Sequence, residues 1–413
     1  MFNMKKMLQK LKSELRPEKI IEVDEIVKKI NQLLTKNKVK AECVKGGSIA
    51  KGTSLKNDYD IDLFVRFDYK YKDKEISDIL EPILKQNFDV ERVHGSRDYF
   101  QIHNEFLIEI VPVIKINDYK KALNVTDMSP LHVNYIKKKL RKEQMDEIRL
   151  AKQFCKAAKV YGAESYIKGF SGHILDLLII HYDSFENLIK EAVEWNPKVI
   201  IDIEKQLENP MKELDKAKTH SPLIIVDPIQ PCRNAAAALS NEKFNRFIDT
   251  CKKFLMNPNR EFFKVKKLNK EKIKNKKLSN EELFFFEAES LEGKKDVVGA
   301  KIMKVYEYLK RKIKKHEFKI MKTDWEFSDK GIIYFIIKKE KLSNTEIISG
   351  PPLKEKEGVK RFKQKHKKAF IKKNRIFAEE KRKYREAEKL IKDLLKEKYV
   401  VERVKRVKRV KKS

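Results

Sequence analysis

The clearest pattern in the chain is the stretch Gly46-Gly47-Ser48-Ile49-Ala50-Lys51-Gly52-Thr53-Ser54-Leu55-Lys56-Asn57-Asp58-Tyr59-Asp60-Ile61-Asp62-Leu63-Phe64-Val65. Its small residues predict a loop and a short helical turn, and the alternation that follows predicts a strand. Asp60 and Asp62 stand two positions apart, so on a strand their side chains share one face. We predict that the other face is core and contains Ile61, Leu63, Val65 and Phe67.

Two acidic side chains on one face of an apolar strand indicate a metal site, because Mg²⁺ prefers a few carboxylates together with phosphate oxygens. Upstream, Gly47 allows the backbone to approach a phosphate closely, and Ser48 offers a hydroxyl donor. A surface strand with solvated acids would explain the carboxylate pair alone. The two elements in this order resemble the signature of the nucleotidyltransferase superfamily of the DNA polymerase beta type.

The chain has 413 residues and a formal net charge of +33. This length predicts about two to four domains. Adaptation to a high growth temperature would enrich charges of both signs. The surplus of cations therefore predicts a polyanionic partner, most simply a nucleic acid.

The composition also limits where the protein works. No stretch reaches the length of about 18 apolar residues that a membrane-spanning helix needs, and the first residues contain no segment suited to a signal peptide. The cysteines have no CxxC spacing, which favours reduced thiols. We therefore expect a cytoplasmic protein with no membrane segment and with four reduced cysteines: Cys43, Cys155, Cys232 and Cys251.

A third carboxylate comes from the next pair of strands. Residues 98–103 and 106–113 predict a hairpin with residues 104 and 105 at the turn. Glu109 lies mid-strand between two isoleucines, where a charge is costly unless it is paired or bound to a metal. We expect Glu109 to be buried beside the strand of Asp60 and Asp62; an exposed Glu on the open face of the hairpin is the alternative.

The rest of the chain predicts further elements. The apolar periodicity indicates helices at residues 7–15, 17–34, 76–88, 131–158 with a break near 141–144, 174–182 and from 234 onward, and a loop at 209–223 followed by a short strand at 224–228. Residues 264–277 are dense in lysine and read as a linker or exposed basic surface. Beyond it we predict a helix at 297–313, a strand at 331–338, a long basic helical region at 361–395 and an unstructured Val-Lys-Arg tail.

We therefore predict an α+β, multidomain protein. A catalytic nucleotidyltransferase head with a small mixed sheet occupies residues 1–130, and a helical neck that binds nucleotide occupies 131–256. A basic body and tail, 257–413, follow.

Several stretches together resemble the archaeal-type (class I) CCA-adding enzymes, a family of tRNA nucleotidyltransferases. The resemblance covers nearly the whole chain, and the order of the stretches is more specific than any one of them. Besides the opening motif they are Ser129-Pro130-Leu131-His132, Glu147-Ile148-Arg149-Leu150-Ala151-Lys152-Gln153-Phe154, Tyr161-Gly162-Ala163-Glu164, Gly169-Phe170-Ser171-Gly172, Val226-Asp227-Pro228, Arg233-Asn234-Ala235-Ala236-Ala237, Gly350-Pro351-Pro352 and Arg361-Phe362-Lys363-Gln364-Lys365-His366.

The resemblance implies template-independent addition of CMP, CMP and AMP to the 3′ end of tRNA from CTP and ATP. It implies that Asp60, Asp62 and Glu109 hold two Mg²⁺ ions and are the catalytic carboxylates. It also implies a nucleotide site with Ser48, Lys152 and Tyr161 at the triphosphate, Thr126 and His132 near the nucleotide, and Arg233 at the base edge. We add Gly47 and Lys51, which belong to the phosphate-side loop, to the nucleotide-binding set.

Three positions depart from the family pattern. Glu109 stands where the family has Asp, Lys51 where it has Arg, and His173 where it favours Tyr. The first puts the metal geometry in question, and the second removes a bidentate contact. None removes a charge that the chemistry needs.

The basic C-terminal half is expected to hold the acceptor stem and T arm of tRNA, since A-form RNA is recognised through its phosphates and 2′-hydroxyls. A homodimer is left open. Two alternative functions also stay open: another template-independent RNA nucleotidyltransferase of the poly(A) type, and an inactive tRNA-binding protein that kept the fold.

Overall fold

The structure is a computed structural model that describes residues 2–18, 21–56, 60–103 and 106–410. The chain divides into two compact units, with the boundary between Lys266 and Lys267. Helices and strands alternate irregularly in both units, so the predicted α+β class is confirmed. In the described part of the chain, no helix is both long enough and apolar enough to cross a membrane.

The first unit begins with a five-stranded sheet in the order β1-β2-β5-β4-β3. Its strands are β1 Ala41–Lys45, β2 Asp60–Phe67, β3 Glu91–Val93, β4 Tyr99–His103 and β5 Leu107–Ile114. β2 and β5 run parallel and the other neighbours antiparallel, so the predicted small mixed sheet is confirmed. The predicted hairpin is β4 and β5; its turn, residues 104–105, lies outside the described residues.

The first four helices are α1 Phe2–Leu15, α2 Ile21–Lys36, α3 Gly47–Lys51 and α4 Ile76–Leu84. The apolar face of β2 is fully buried as predicted, together with apolar residues of α2 and α4. α1 packs elsewhere: its buried face, which includes Leu8 and Leu11, joins the core of the helices that follow the sheet.

Those later helices are α5 Ser129–Lys139, α6 Gln144–Ala157, α7 Gly172–Tyr182, α8 Phe185–Ala192, α9 Pro210–Glu213 and α10 Asn241–Met256. They share one core around Phe154, which contacts five other phenylalanine rings. Two short strands, β6 Val199–Ile201 and β7 Leu223–Ile225, pair in parallel beside them. The predicted break between α5 and α6 is confirmed.

Two predictions for this region are wrong. Residues 209–223 are not simply a loop, because they contain α9. The helix predicted from Asn234 begins only at Asn241, where the hydroxyl of Ser240 caps it. Asn234 instead accepts hydrogen bonds from the backbone N–H of Ile225 at 3.0 Å and of Ala236 at 2.8 Å, which hold the segment in turns.

The second unit contains two sheets, of order β14-β8-β10-β9 and β11-β13-β12. Its elements are α11 Lys270–Lys274, β8 Glu281–Glu289, α12 Lys295–Lys315, β9 Ile320–Phe327, β10 Gly331–Lys338, β11 Thr345–Pro352, α13 Lys356–Lys365, β12 Ala369–Lys372, β13 Arg375–Lys381, α14 Ala387–Leu394, α15 Lys398–Val401 and β14 Arg406–Arg409. The predicted strand at 331–338 is confirmed, and the predicted helix at 297–313 is extended slightly at both ends.

The long helix predicted at 361–395 is wrong. The helix ends at Lys365, and the chain then forms the hairpin β12–β13, whose turn at Lys373 and Asn374 has positive φ angles. In this hairpin Ile376 and Ala378 stand two positions apart on one face of β13 and are fully buried, which is a strand pattern that the dense lysines obscured.

The tail is also ordered, in contrast to the prediction. β14 pairs with β8, and the guanidinium of Arg409 lies 4.6 Å from the centroid of the Phe284 ring and forms an ion pair with Glu282. The basic segment at 264–277 contains α11 rather than being a bare linker.

Candidate active site

The acidic row predicted from the sequence lies across the middle of the first sheet. Asp62 of β2 is directly in register with Glu109 of the parallel strand β5, and Glu109 is in register with Gln101 of β4. Paired residues on neighbouring strands point to the same face, so the two carboxylates are neighbours. Asp60 begins β2 opposite Leu107. Its side chain and residues 57–59 lie outside the described part of the structure.

Glu109 is half-buried, so the expectation that it is buried is wrong, although its place on the strand beside Asp62 is confirmed. It accepts a hydrogen bond of 2.8 Å from Nε2 of Gln101. Burial, followed by the negative charge of Glu109, raises the pKa of Tyr99. Glu109 therefore lies beside Asp62 with part of its side chain exposed.

The turn before the strand contacts the same row. The backbone N–H of Gly46 donates to the carbonyl of Asp62 at 2.7 Å. Gly47 has φ +48°, and a Cβ built on it would lie 1.8 Å from Oδ2 of Asp62. Only glycine leaves room for the carboxylate there. α3 begins at this point, with Ser48 in its first turn, so the start of the helix and the carboxylate face each other.

The residues present fit a divalent cation. Asp62 and Glu109 supply oxygen ligands of the kind Mg²⁺ prefers, and the cradle that Gly47 keeps open lies over one of those oxygens. Asp98 and Asp118, which could have replaced Glu109, are engaged elsewhere. Asp98 binds Arg92, and Asp118 caps a 3₁₀ turn by accepting from the N–H of Lys120.

A buried lysine lies behind the turn. Nζ of Lys152 on α6 donates to the carbonyl of Thr53 at 2.9 Å and contacts its hydroxyl oxygen at 3.2 Å. Burial lowers the pKa of Lys152 to about 8, despite the opposing attraction of Asp176. The ammonium is thus held where it lacks water and would gain from an anionic ligand.

Lys51, at the end of α3, forms an ion pair with Asp176 of α7. Asp176 is fully buried, and its second oxygen, Oδ1, has no hydrogen-bond partner in the described structure. Lys51 therefore lies at the site as one partner of an ion pair with Asp176. Together with Lys152 the group contains two cations and one carboxylate, so its local charge is positive.

Tyr161 and Gly172 complete this group. A Cβ built on Gly172 would lie 3.2 Å from the hydroxyl of Tyr161 and 3.6 Å from Cε of Lys152. Nζ of Lys156 lies over the ring of Tyr161, 4.9 Å from the ring centroid. The predicted phosphate residues Lys152 and Tyr161 are thus brought together, at the start of α7.

A second group surrounds Asp227, which is fully buried. Its carboxylate accepts from Nε2 of His132 at 2.9 Å, from the backbone N–H of Ile229 and Gln230, and from the guanidinium of Arg233. Burial alone would raise the pKa of Asp227, but the hydrogen bond and charge of His132 and the charge of Arg233 outweigh it and lower that pKa. Asp227 therefore stays ionised and links two predicted nucleotide residues.

The rings of His132 and His173 lie side by side next to Asp227. Nδ1 of His132 lies 3.0 Å from the carbonyl oxygen of Met128, while Nε2 faces Asp227. Burial, then repulsion from His132, lowers the pKa of His173 to about 3, so it is neutral. Its ring meets His132 edge-on, with centroids 4.9 Å apart.

Among the described residues, His132, His173 and Asp227 also place three potential metal-ligand atoms within 4.8 Å of one another. This is not the predicted carboxylate set. The guanidinium of Arg233 already lies against Asp227, so a metal ion there would meet a like charge at close range. We interpret the group as the support of Arg233.

Thr126 lies in a different setting. It follows Asn124 in a capping turn, and its hydroxyl lies 3.0 Å from Oδ1 of Asn124. The neighbouring Asp127 is buried against Arg97 and accepts from the N–H of Ile114 at 2.8 Å. The hydroxyl of Thr126 also lies 3.4 Å from the guanidinium of Arg97, so Thr126 belongs to this turn.

Sequence reasoning assigned no role to Asp176 or Asp227. Asp176 had one available signal, because a lone carboxylate inside an apolar helix needs a buried partner. Asp227 belongs to a quoted motif, and three of its four hydrogen-bond donors follow it closely in the chain: Ile229, Gln230 and Arg233. The fold adds His132, which is 95 positions away.

Three protein-family models match the chain. The nucleotidyltransferase domain covers residues 23–144, the second domain of tRNA nucleotidyltransferase covers 146–264, and the C-terminal domain of the CCA-adding enzyme covers 285–410. They follow one another in order over both units.

Curated relatives carry the same description. A CCA-adding enzyme of Nanoarchaeum equitans is 38% identical over 79% of this chain and 80% of its own length. Another, of Methanocaldococcus jannaschii, is 33% identical over 94% of this chain and 90% of its own. Among solved structures, a cytoplasmic RNA terminal U-transferase matches 65% of this chain and all of its own with a TM-score of 0.51 and 15% identity, which shows a common fold.

Proposed function

The chain belongs to the CCA-adding enzyme family of tRNA nucleotidyltransferases, and we propose that it adds CMP, CMP and AMP to the 3′ end of tRNA from CTP and ATP. The observation that carries this proposal is the carboxylate row of Asp62 and Glu109 beneath the Gly47 turn, with Lys152 on α6 and Arg233 between β7 and α10. Such an arrangement suits nucleotidyl transfer, and membership of the family indicates that the substrate is tRNA.

Members of the nucleotidyltransferase superfamily are metal-dependent. We propose that Asp60, Asp62 and Glu109 hold two Mg²⁺ ions. When bound, the ions would supply activation of the attacking hydroxyl and neutralisation of the triphosphate. The protein's own part is to fix the two described carboxylates in register and to leave the space above Asp62 clear.

The triphosphate is proposed to lie over Ser48 and the start of α3, within reach of Lys152 and Tyr161. The ion pair with Asp176 holds Lys51 next to this group and offsets its charge, so Lys152 supplies the net positive charge. In a site shielded from water such charges act more strongly than they do in solution. These residues position and hold the phosphates, and none of them needs to exchange a proton with substrate.

Arg233 is proposed to read the edge of the incoming base. Its planar guanidinium has several donors, and the ion pair with Asp227 limits the orientations it can take. His132 binds the same carboxylate and so fixes it from the other side. The side chain of Arg233 remains 43% exposed, which leaves donors available to a ligand.

The basic second unit is proposed to bind the acceptor stem and T arm of the tRNA. The division of the chain into head, neck and basic body at about residues 130 and 256 is also a proposal. The proposed mechanism does not require a dimer, because the site residues named above all belong to one chain.

The test is direct. The protein is incubated with a tRNA transcript that lacks CCA, with Mg²⁺, CTP and ATP, and the 3′ ends are sequenced. We expect ends that stop at CCA. Long runs of A would support a poly(A)-type enzyme instead, and binding of tRNA without pyrophosphate release would support an inactive tRNA-binding protein.

A further inference from the structure

The small sheet β11-β13-β12 of the second unit has one covered face and one open face. Ile376 and Ala378 are fully buried on the covered face, beneath α13. A Cβ built on Gly350 would lie 2.7 Å from Ile376 and 2.8 Å from Phe362 of α13, so the packing there is tight. Alternation along β13 puts Phe377 on the opposite, open face.

Apolar side chains are exposed on that open face. Phe370 of β12 is in register with Phe377, and the two rings stack with centroids 5.9 Å apart and planes inclined by 22°. We refer to Phe370 and Phe377 as the aromatic pair. Phe370 is 39% exposed, and Ile347 of β11, also on this face, is 64% exposed. An exposed apolar surface of this kind marks a binding site more often than chance.

The charge around the aromatic pair identifies the partner. Between Lys354 and Lys383 the chain has fourteen Lys and Arg but only four Glu. On the open face itself Lys372 and Arg375 are in register with each other next to the aromatic pair. Two copies of so basic a surface would repel each other. A polyanion with flat apolar groups, which is RNA with unpaired bases, complements both features.

We propose that the aromatic pair stacks against an unpaired base of the bound RNA, with Lys372 and Arg375 meeting the adjacent phosphates. This inference rests on the proposed function, because it takes tRNA as the ligand. Every base presents a flat face, so the contact tolerates different sequences. Aromatic side chains on an open sheet are a recurrent means of binding single-stranded RNA. The fold places the two aromatic rings side by side on the sheet.

The test compares two RNAs and one substitution in the full-length protein. Affinity is measured by fluorescence anisotropy for a tRNA transcript lacking CCA and for a blunt two-strand RNA duplex with no unpaired bases. Phe370→Ala should weaken tRNA binding by roughly 5- to 100-fold and leave the affinity for the duplex unchanged. Phe370→Trp should restore tRNA binding, and its added fluorescence should be quenched by tRNA.

Met321→Ala serves as a matched control, since Met321 is 46% exposed on β9 of the same unit; it should change neither affinity. Equal losses for both RNAs, or no loss for tRNA, would overturn the stacking role. A dimer that dissociates in Phe370→Ala, seen by sedimentation velocity, would assign the face to a second copy instead. If the wild-type protein adds no nucleotide to tRNA, the proposed function fails, while the binding comparison still decides the role of Phe370.

Discussion

At the scale of single residues, the site depends on charges that are held in place by neighbours. Glu109 stands at the position where the resemblance to the family implied Asp. Its carboxylate is beside Asp62 on a parallel strand and accepts from Gln101. Glu is one methylene longer than Asp, so the surrounding backbone must suit the longer reach, because Mg²⁺ requires ligand distances near 2.0–2.1 Å.

We therefore expect Glu109→Ala to abolish nearly all CMP and AMP addition, while tRNA affinity stays within a few-fold. Glu109→Asp should lose part of the rate. Single-turnover assays at saturating Mg²⁺ measure both, and Asp98→Ala, in a carboxylate bound to Arg92, is the matched control for losing an acid near the sheet. Normal addition by Glu109→Ala would show that Glu109 is not a ligand.

Arg233 tests the base-reading role. Loss of a charged hydrogen bond costs about 1.5–3 kcal/mol, so Arg233→Ala should lower kcat/KM for nucleotide by roughly 10- to 150-fold. Fidelity between CTP and ATP should fall as well, with tRNA binding nearly unchanged. Arg260→Ala removes a guanidinium with the same 43% side-chain exposure, paired to Glu14, and should be neutral. Unchanged kcat/KM and fidelity in Arg233→Ala would contradict the assignment.

Lys152 gives the reaction a pH dependence. Since burial lowers its pKa to about 8, the ammonium is present below that pH and lost above it in the free enzyme. We expect kcat/KM for CTP to fall as pH rises through about 8, because this parameter reports the free enzyme. In Lys152→Arg the charge persists, and this descending limb should disappear even if the overall rate is lower. An identical profile in the two proteins would remove Lys152 from the nucleotide site.

At the scale of elements, the β1–α3–β2 segment forms the site because its turn is tightly packed against its own strand. Gly47→Ala should greatly reduce activity, since the new Cβ would collide with the carboxylate of Asp62 and the residue would keep a positive φ. Gly52→Ala is the control: Gly52 also has a positive φ, +69°, but its Cβ would meet only the flexible side chain of Met145 at 3.1 Å.

Thermal melts and addition assays on both variants separate the effects. A similar loss of Tm with a much larger loss of activity in Gly47→Ala is the expected result. Equal activity in the two variants would mean that backbone strain, and not the contact with Asp62, is the reason why position 47 requires glycine.

At the scale of the whole molecule, the net charge of +33 sets how RNA binds. If about six phosphates are neutralised, the logarithm of affinity should fall with the logarithm of salt concentration with a slope of about −5. A filter-binding titration with tRNA lacking CCA measures this slope. A slope near zero would show that the basic surface does not make the main contact.

The sequence by itself determined the catalytic strand and its burial, because its alternation and its glycine-rich turn are local patterns that need no partner to be recognised. The lysine-rich half was harder. Ile376 and Ala378 are buried at alternate positions in a segment that we predicted as helical, and pairing with β11 and β12 makes it a strand. Local propensity is weak there, and tertiary contacts override it.

Only the tertiary structure decided the contacts among distant residues. Asp227 meets His132 and Arg233, Lys51 meets Asp176, and Lys152 reaches the carbonyl of Thr53 across 99 positions of the chain. A charged residue within an apolar stretch of sequence indicates that it needs a buried partner. Which residue is that partner depends on how the helices pack against the sheet. The rings of Phe370 and Phe377 likewise stack on one face of the sheet only because the hairpin turn brings the two strands together.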